Sequence, residues 1–398
     1  MTLPDQLILE RFRCFPTWVT LPLSPITLVY GSNNSGKSAL LRSLALLGAS
    51  LEPNGTTAIR LPEQAFPGCR FQDLAWQGDY GSYAWKLGVR WSQSEISEAL
   101  FTLNGATDTP PFIARLDLRS PGSVPPWRAM ADEDRRLIDP RAGTPLPFDG
   151  LIPATDALDD LRSQLLPLRG KVRWLAGVRQ KVPRVIEAPT QAIPSMFVDG
   201  EGSAHAVAFD SDLREDVASF YENLDSPRRL EVHESPPLGR WLSLNPKSQP
   251  LWRVHINDTG EGMAQVLPVL TQAALTAREG GLLAVEEPES HLYPSAQRTL
   301  ARHICSLSMR NSSPRYILET HSRVFLLAVQ LEVANGYPAD NVRIVWVDQL
   351  PSGRSSTTVL KLRDDGHLSD GWPPSALGED LALARELSRL GRRREEGR

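Results

Sequence analysis

The run Gly31-Ser32-Asn33-Asn34-Ser35-Gly36-Lys37-Ser38 has the residue types and spacing of a phosphate-binding loop. Phosphate oxygens need many donors packed into a small volume. A tight glycine loop opening a helix supplies them as backbone N–H groups, helped by the positive end of the helix. In that arrangement Lys37 reaches the β- and γ-oxygens, the Ser38 hydroxyl ligates Mg2+, and Ala39 continues into the helix. The expected ligand is Mg·ATP.

Two further clusters could complete such a site. In Leu282-Leu-Ala-Val-Glu286-Glu287-Pro288 an apolar run ends in two carboxylates. A buried parallel strand delivers such groups at its C-terminal edge, where ligands bind in open α/β sheets. The expectation is that Glu286 holds the metal or its water and that Glu287 polarises the attacking water. Ile317-Leu-Glu-Thr-His321-Ser reads as another strand of the same sheet, placing His321 where it could touch a γ-phosphate. Asn257-Asp-Thr-Gly260-Glu261-Gly262-Met-Ala-Gln265 opens a further helix with a glycine-rich turn. Such a turn can meet an anion, although helix capping explains the same pattern. If Gly260, Glu261 and Gly262 meet a γ-phosphate, it is that of a partner subunit.

These groups need a sheet and helices to hold them. Ile26–Tyr30 is predicted as a buried strand, followed by the glycine loop and a helix from Ser38 with Leu and Ala at helical spacing. Residues 7–13, 83–91 and 252–256 read as strands, as do 282–285 and 316–318. Residues 156–166, 262–277, 295–308, 324–334 and 378–390 read as helices. Strands 342–347 and 357–362 could pair. The segment 105–154 is dense in proline, so it is expected as loops and short strands. The Asp364-Asp365 pair is expected as a turn.

Composition sets outer bounds. With 398 residues, 41% hydrophobic and a net charge of −4, the chain predicts two or three packed units and no overall-charge grip on nucleic acid. Cys14, Cys69 and Cys305 lie far apart, which argues against structural zinc and fits a reducing compartment. No signal-type N-terminus and no membrane-spanning apolar run are evident, so a cytoplasmic protein with no membrane contact is expected. Arg128, Arg135, Arg136, Arg169, Lys171, Arg173, Arg179, Lys181 and Arg184 form a basic stretch, for which a solvated face is the simpler account.

In its order of motifs the sequence resembles ABC-type ATPase heads of the SMC, RecF and OLD kind. It is most similar to stand-alone bacterial AAA/ABC-type ATPases with an uncharacterised C-terminal domain. The matching pieces are Glu10-Arg-Phe-Arg-Cys-Phe, Trp174-Leu-Ala-Gly-Val-Arg179, Gly260 to Pro268, Glu286 to Pro294, Glu319-Thr-His-Ser322 and Asp365 to Trp372. The resemblance implies an α/β fold: a mixed central sheet with flanking helices, an antiparallel β lobe and an inserted proline-rich subdomain. The expected division is 1–95 and 251–398 for the two halves of the head, with 96–250 as the insert. It further implies Glu286 at the Walker B position, Glu287 as catalytic glutamate, Ser290 to Pro294 as a D-loop and Gly260 to Gln265 as a divergent signature. His321 becomes the switch histidine, Arg13 lies at the adenine edge, and Gln72 or Gln77 is a candidate Q-loop glutamine near the metal. Ala-Gly stands in place of the usual Gly-Pro near residue 177.

The insert is short and proline-rich, so no SMC coiled coil is expected, and with roughly eighty residues after His321 no Toprim nuclease domain is expected there. The expected function is Mg-dependent ATP hydrolysis by an ATP-gated homodimer that controls a separate effector, a nuclease or toxin, in bacterial defence. The alternative is a RecF-like DNA-binding ATPase in repair. A transporter subunit is disfavoured by the divergent signature.

Overall fold

The computed structural model describes residues 3–53, 57–77, 83–106, 109–122, 126–187, 198–236, 239–249, 251–310 and 312–373. The expected helix 378–390 and the charged end 392–398 lie outside the described residues.

The centre is a six-stranded sheet. Its order is Val172–Leu175, Leu282–Glu286, Arg315–Glu319, Ile26–Gly31, Val342–Gln349 and Ser355–Lys361. The first five strands run parallel and the last pairs antiparallel with its neighbour, giving the expected hairpin of 342–347 with 357–362. Every residue of Leu282–Glu286 is buried, as befits a strand covered on both faces.

Period-2 alternation sorts the two cores. Leu282, Ala284, Ile317 and Val29 face the core under the glycine-loop helix Lys37–Leu51. Leu283, Val285, Leu318 and Leu28 face the helices Leu267–Glu279, Pro294–Ser308 and Arg323–Ala334. The glycine-loop helix buries Leu40, Leu41, Leu44, Leu47 and Leu51, each worth roughly 2 kcal/mol of transfer free energy. That burial fixes the helix, and with it the loop it starts from.

A second, seven-stranded antiparallel sheet runs from Gln6–Glu10 and Val19–Pro22 through Trp85–Arg90 to Leu137–Ile138. The division expected at residue 95 falls between two paired strands of this sheet, Trp85–Arg90 and Glu98–Ala106. The start of the expected insert therefore shares hydrogen bonds with the N-terminal half. The proline-rich stretch supplies strands here, the longest being Thr109–Arg119.

Two local expectations change. Residues 252–256 do not form a strand: the Asn245 side chain takes the Val254 N–H at 3.1 Å, and pairing is limited to the isolated bridge of His255 with Ser243 and the Leu244 N–H bond to the Val254 carbonyl at 2.9 Å. The helix expected over 262–277 is broken at Val266 into Glu261–Gln265 and Leu267–Glu279. Pro268 accounts for the break, because it lacks the N–H for the Ala264 carbonyl and its ring crowds that oxygen.

Candidate functional site

The parallel order brings the glycine loop, the end of the acidic strand Leu282–Glu286 and the end of the strand Arg315–Glu319 to one edge. There they line a cleft of about 740 Å³, and its walls include Asn33 to Ala39, Glu287, Glu319 and His321. The far wall comes from Arg13, Cys14, Asp73, Trp76 and Gln77 together with Gln349 and Gly353. Residues 11–13 reach this wall because Arg13 N–H bonds the Leu74 carbonyl at 2.8 Å and Trp76 N–H bonds the Arg11 carbonyl at 2.7 Å. Of the two glutamine candidates, Gln77 lines the cleft. Gln72 sits back in the turn Phe71–Leu74.

Within the loop, Gly36 has φ +102°, and a Cβ there would lie 2.4 Å from the Cys14 sulfur. Only glycine satisfies both constraints. The Lys37 ammonium donates to the Ser32 carbonyl at 2.6 Å. Burial holds the Lys37 pKa below its ordinary value, against the pull of the Glu319 and Glu287 charges. Lys37 is thus a desolvated cation beside carboxylates, ready for a polyanion. Arg13 stands at the cleft with its guanidinium 5.3 Å from the Phe66 ring and Nη2 3.3 Å from the Cys69 sulfur.

The acidic residues are arranged differently from the expectation. The hydroxyl of Ser38 donates to Glu319 Oε1 at 2.9 Å. Glu286, expected at that place, is held instead by Arg42, one turn along the same helix, with Nε 2.8 Å from Oε1 and Nη2 3.3 Å from Oε2. The cause is strand order: Arg315–Glu319 lies between the acidic strand and the loop strand, so Glu319 is the nearer carboxylate. Glu319 is only 4% exposed, and its Oε2 has no hydrogen-bond partner among the described residues. Burial, and then the Glu286 charge, push its pKa upward.

Those features fit a divalent cation. Mg2+ takes hard oxygen donors, commonly one or two carboxylates completed by phosphate and water. Ser38 and Glu319 supply such donors, and a cation would relieve the repulsion between Glu319 and Glu286. Among the described residues no group of three or more His, Cys, Asp or Glu could hold a metal ion by itself.

Glu287 and His321 flank this point. Glu287 adopts φ +46°, unusual for a residue with a side chain. Its N–H bonds the Glu319 carbonyl at 2.9 Å, and Ser290 Oγ donates to its carboxylate at 3.1 Å. His321 Nε2 lies 4.0 Å from Glu319. Burial, and then the Lys37 charge, lower the His321 pKa, so the ring is neutral near pH 7.

Glu289 was legible only as part of a motif. It is 6% exposed and its Oε1 accepts from Thr320 Oγ1 at 2.6 Å, His321 N at 3.2 Å and Ser322 N at 3.3 Å. Arg179, also 6% exposed, donates through Nη2 to the carbonyls of Glu286 at 2.6 Å and Glu287 at 2.9 Å. Burial pulls its pKa down to about 10.

The glycine-rich turn lies away from the cleft of its own chain. Gly260 is exposed with open space around it, whereas a Cβ on Gly262 would lie 2.2 Å from the His291 carbonyl. Gly262 is therefore required within the chain. The basic stretch is largely neutralised: Arg128, Arg136, Arg169, Arg173 and Arg184 pair with Asp117, Asp132, Asp149, Glu279 and Asp258. That fits the solvated-face account and gives no support to a DNA grip there. Asp365 caps a turn, accepting from the His367 N–H at 2.9 Å. Among the described residues no helix is long and apolar enough to cross a membrane.

Comparison with known proteins agrees with this architecture. The family described as "AAA domain, putative AbiEii toxin, Type IV TA system" matches residues 196–328. An OLD nuclease of Thermus scotoductus is 22% identical over 340 residues, covering 80% of this chain and 59% of the relative. The chain thus spans under two thirds of that relative's length. Among solved structures, an SMC head bound to the C-winged helix domain of ScpA aligns with TM-score 0.52 at 15% identity, over 90% of this chain and 98% of that one. An SMC head with an extended coiled coil, bound to the C-terminal domain of ScpA from Pyrococcus furiosus, aligns with TM-score 0.51 at 13% identity, over 98% of this chain and all of that one (100%). The two SMC heads show that this chain shares their fold, and over residues 196–328 it is similar to the AAA-domain family named above.

Proposed function

We propose that the cleft binds Mg·ATP and hydrolyses it, and that two copies act together as an ATP-gated switch for a separate effector, a nuclease or toxin. The observation that supports this most is the convergence of Lys37, Ser38, Glu287, Glu319 and His321 on one cavity large enough for a nucleotide.

In this reading the loop N–H groups and Lys37 grip the β- and γ-phosphates, and Arg13, Trp76 and Gln77 flank the base. Ser38 and Glu319, with Glu286 behind them, would hold Mg2+, which neutralises phosphate charge when bound. Glu287 accepts a proton from water as its oxygen attacks the γ-phosphorus, and ADP leaves with the bridging oxygen. Neutral His321 donates a hydrogen bond to the γ-phosphoryl group. Gly260 and Glu261 are free to meet the nucleotide of a second copy, since they face away from their own cleft. The family description, which mentions a toxin–antitoxin system, and the nuclease relative favour a paired effector by analogy.

The deciding experiment is gel filtration of Glu287→Gln with and without Mg·ATP, alongside its turnover. The expected result is an ATP-dependent dimer and turnover reduced about a hundredfold or more. A variant that hydrolyses ATP at the original rate would refute the role of Glu287. One that binds ATP but remains monomeric would refute the paired switch.

A further inference from the structure

Two buried charged side chains take no place in phosphate or metal binding, yet each is tied to the backbone of a reacting residue. Arg179 follows the edge strand Val172–Leu175 and reaches under the end of the acidic strand. Glu289 follows that strand and reaches back to the end of the neighbouring one. We infer that Arg179 and Glu289 form a positioning pair, in which Arg179 sets Glu287 through its carbonyl and Glu289 sets His321 through its amide. This rests on the roles proposed for Glu287 and His321.

Burying a guanidinium and a carboxylate is expensive, and apolar residues of similar size often serve stability as well or better. Here the pair is also left half-satisfied, because Arg179 Nε and Glu289 Oε2 find no hydrogen-bond partner among the described residues. Groups retained under such terms call for an account other than packing.

Geometry supplies one. The left-handed backbone of Glu287 is disfavoured for a residue with a Cβ and persists only where surroundings impose it. A single nitrogen of Arg179 donates to the carbonyls of the two successive peptide links that flank Glu287, and the Glu287 N–H is fixed on the Glu319 carbonyl. That combination holds the turn which projects the Glu287 carboxylate into the cleft. Across the groove, one oxygen of Glu289 gathers Thr320, His321 and Ser322, so the backbone bearing His321 cannot drift independently of the acidic strand. The two straps share one loop, Glu286–Glu289, and keep the proton acceptor and the γ-phosphate donor in register.

The test is a double-mutant cycle on the full chain, with ATP affinity measured by calorimetry and turnover by phosphate release. Arg179→Lys keeps the charge but loses the fork. It should lower kcat about ten- to hundredfold while leaving the Kd for ATP within about twofold. In the Glu287→Gln background it should add no further loss, since nothing remains to be positioned. Glu289→Ala should behave the same way against His321→Ala, and it decides the matter should Arg179→Lys fail to fold. A multiplicative loss in either background, or a Kd that weakens in step with kcat, would overturn the inference in favour of a purely structural pair. Unchanged turnover in Glu287→Gln alone would instead overturn the role proposed for Glu287, on which the pair rests.

Discussion

Ser38 donates its hydroxyl proton to Glu319 at 2.9 Å, across 281 positions of sequence. The loop serine and the switch-strand glutamate thereby form one unit, while the first glutamate of the acidic pair is engaged by Arg42.

Glu319 should accordingly matter for metal dependence. Glu319→Gln is expected to raise the Mg2+ concentration needed for half-maximal turnover by about tenfold or more, the usual scale for loss of a metal-supporting group. A Mg2+ titration of ATPase activity checks this; an unshifted midpoint would return the metal role to Glu286.

Lys37 is desolvated without a nucleotide, so its removal should spare the fold while destroying affinity. Lys37→Ala is expected to weaken ATP binding by at least about a hundredfold, roughly 2.7 kcal/mol. Its thermal midpoint without nucleotide should hardly change. Calorimetric titration and a melting curve together separate the two effects.

Gly262 has no room for a methyl group, because its Cβ would press on the His291 carbonyl. Gly262→Ala should destabilise the protein by about 1–3 kcal/mol, the range for overpacking a tight contact. Urea unfolding would show it, and Gly260→Ala, which meets nothing within 4 Å although its φ is +114°, serves as the comparison for backbone strain alone.

Acid stability offers an independent check on the helical layer. His303 lies in the helix Pro294–Ser308 with Nδ1 3.3 Å from Ser219 Oγ, and burial pulls its pKa down to about 4. A histidine whose folded pKa is depressed binds its proton more readily when unfolded. Stability is therefore complete above about pH 6.5 and declines as pH falls toward 4, by up to about 3 kcal/mol from this one group. His303→Gln should flatten that part of the pH–stability curve, measured by urea midpoints from pH 7 to pH 4.

Much of the site was legible because it is local. Gly31 to Ser38 encode loop, helix start and phosphate chemistry within one turn of chain, and Leu282–Glu286 shows its burial in its own composition. Glu319 was visible in the Glu-Thr-His-Ser motif but its partner was not. Only the order of strands, which places 315–319 between 282–286 and 26–31, sets Glu319 beside Ser38. The roles of Arg179 and Glu289 were hidden for a related reason: both act on main-chain atoms, and backbone partners leave no trace in residue identity. The broken helix at Val266 was readable in hindsight from Pro268. The absence of a strand over 252–256 was not, since it depends on the side chain of Asn245 taking an amide that a strand would have used.

Besides Glu287, Glu319 and His321, the walls of the cleft come from three groups of residues: 13–14 with 73–77, the loop at 33–39, and Gln349 with Gly353. The Ser355 N–H bonds the Cys14 carbonyl at 2.8 Å, so the late hairpin is already buttoned to the first of these. A nucleotide lodged there would act as a rivet through all three, making the early arm and the last sheet strands melt as one body and shielding the joints between them from proteases.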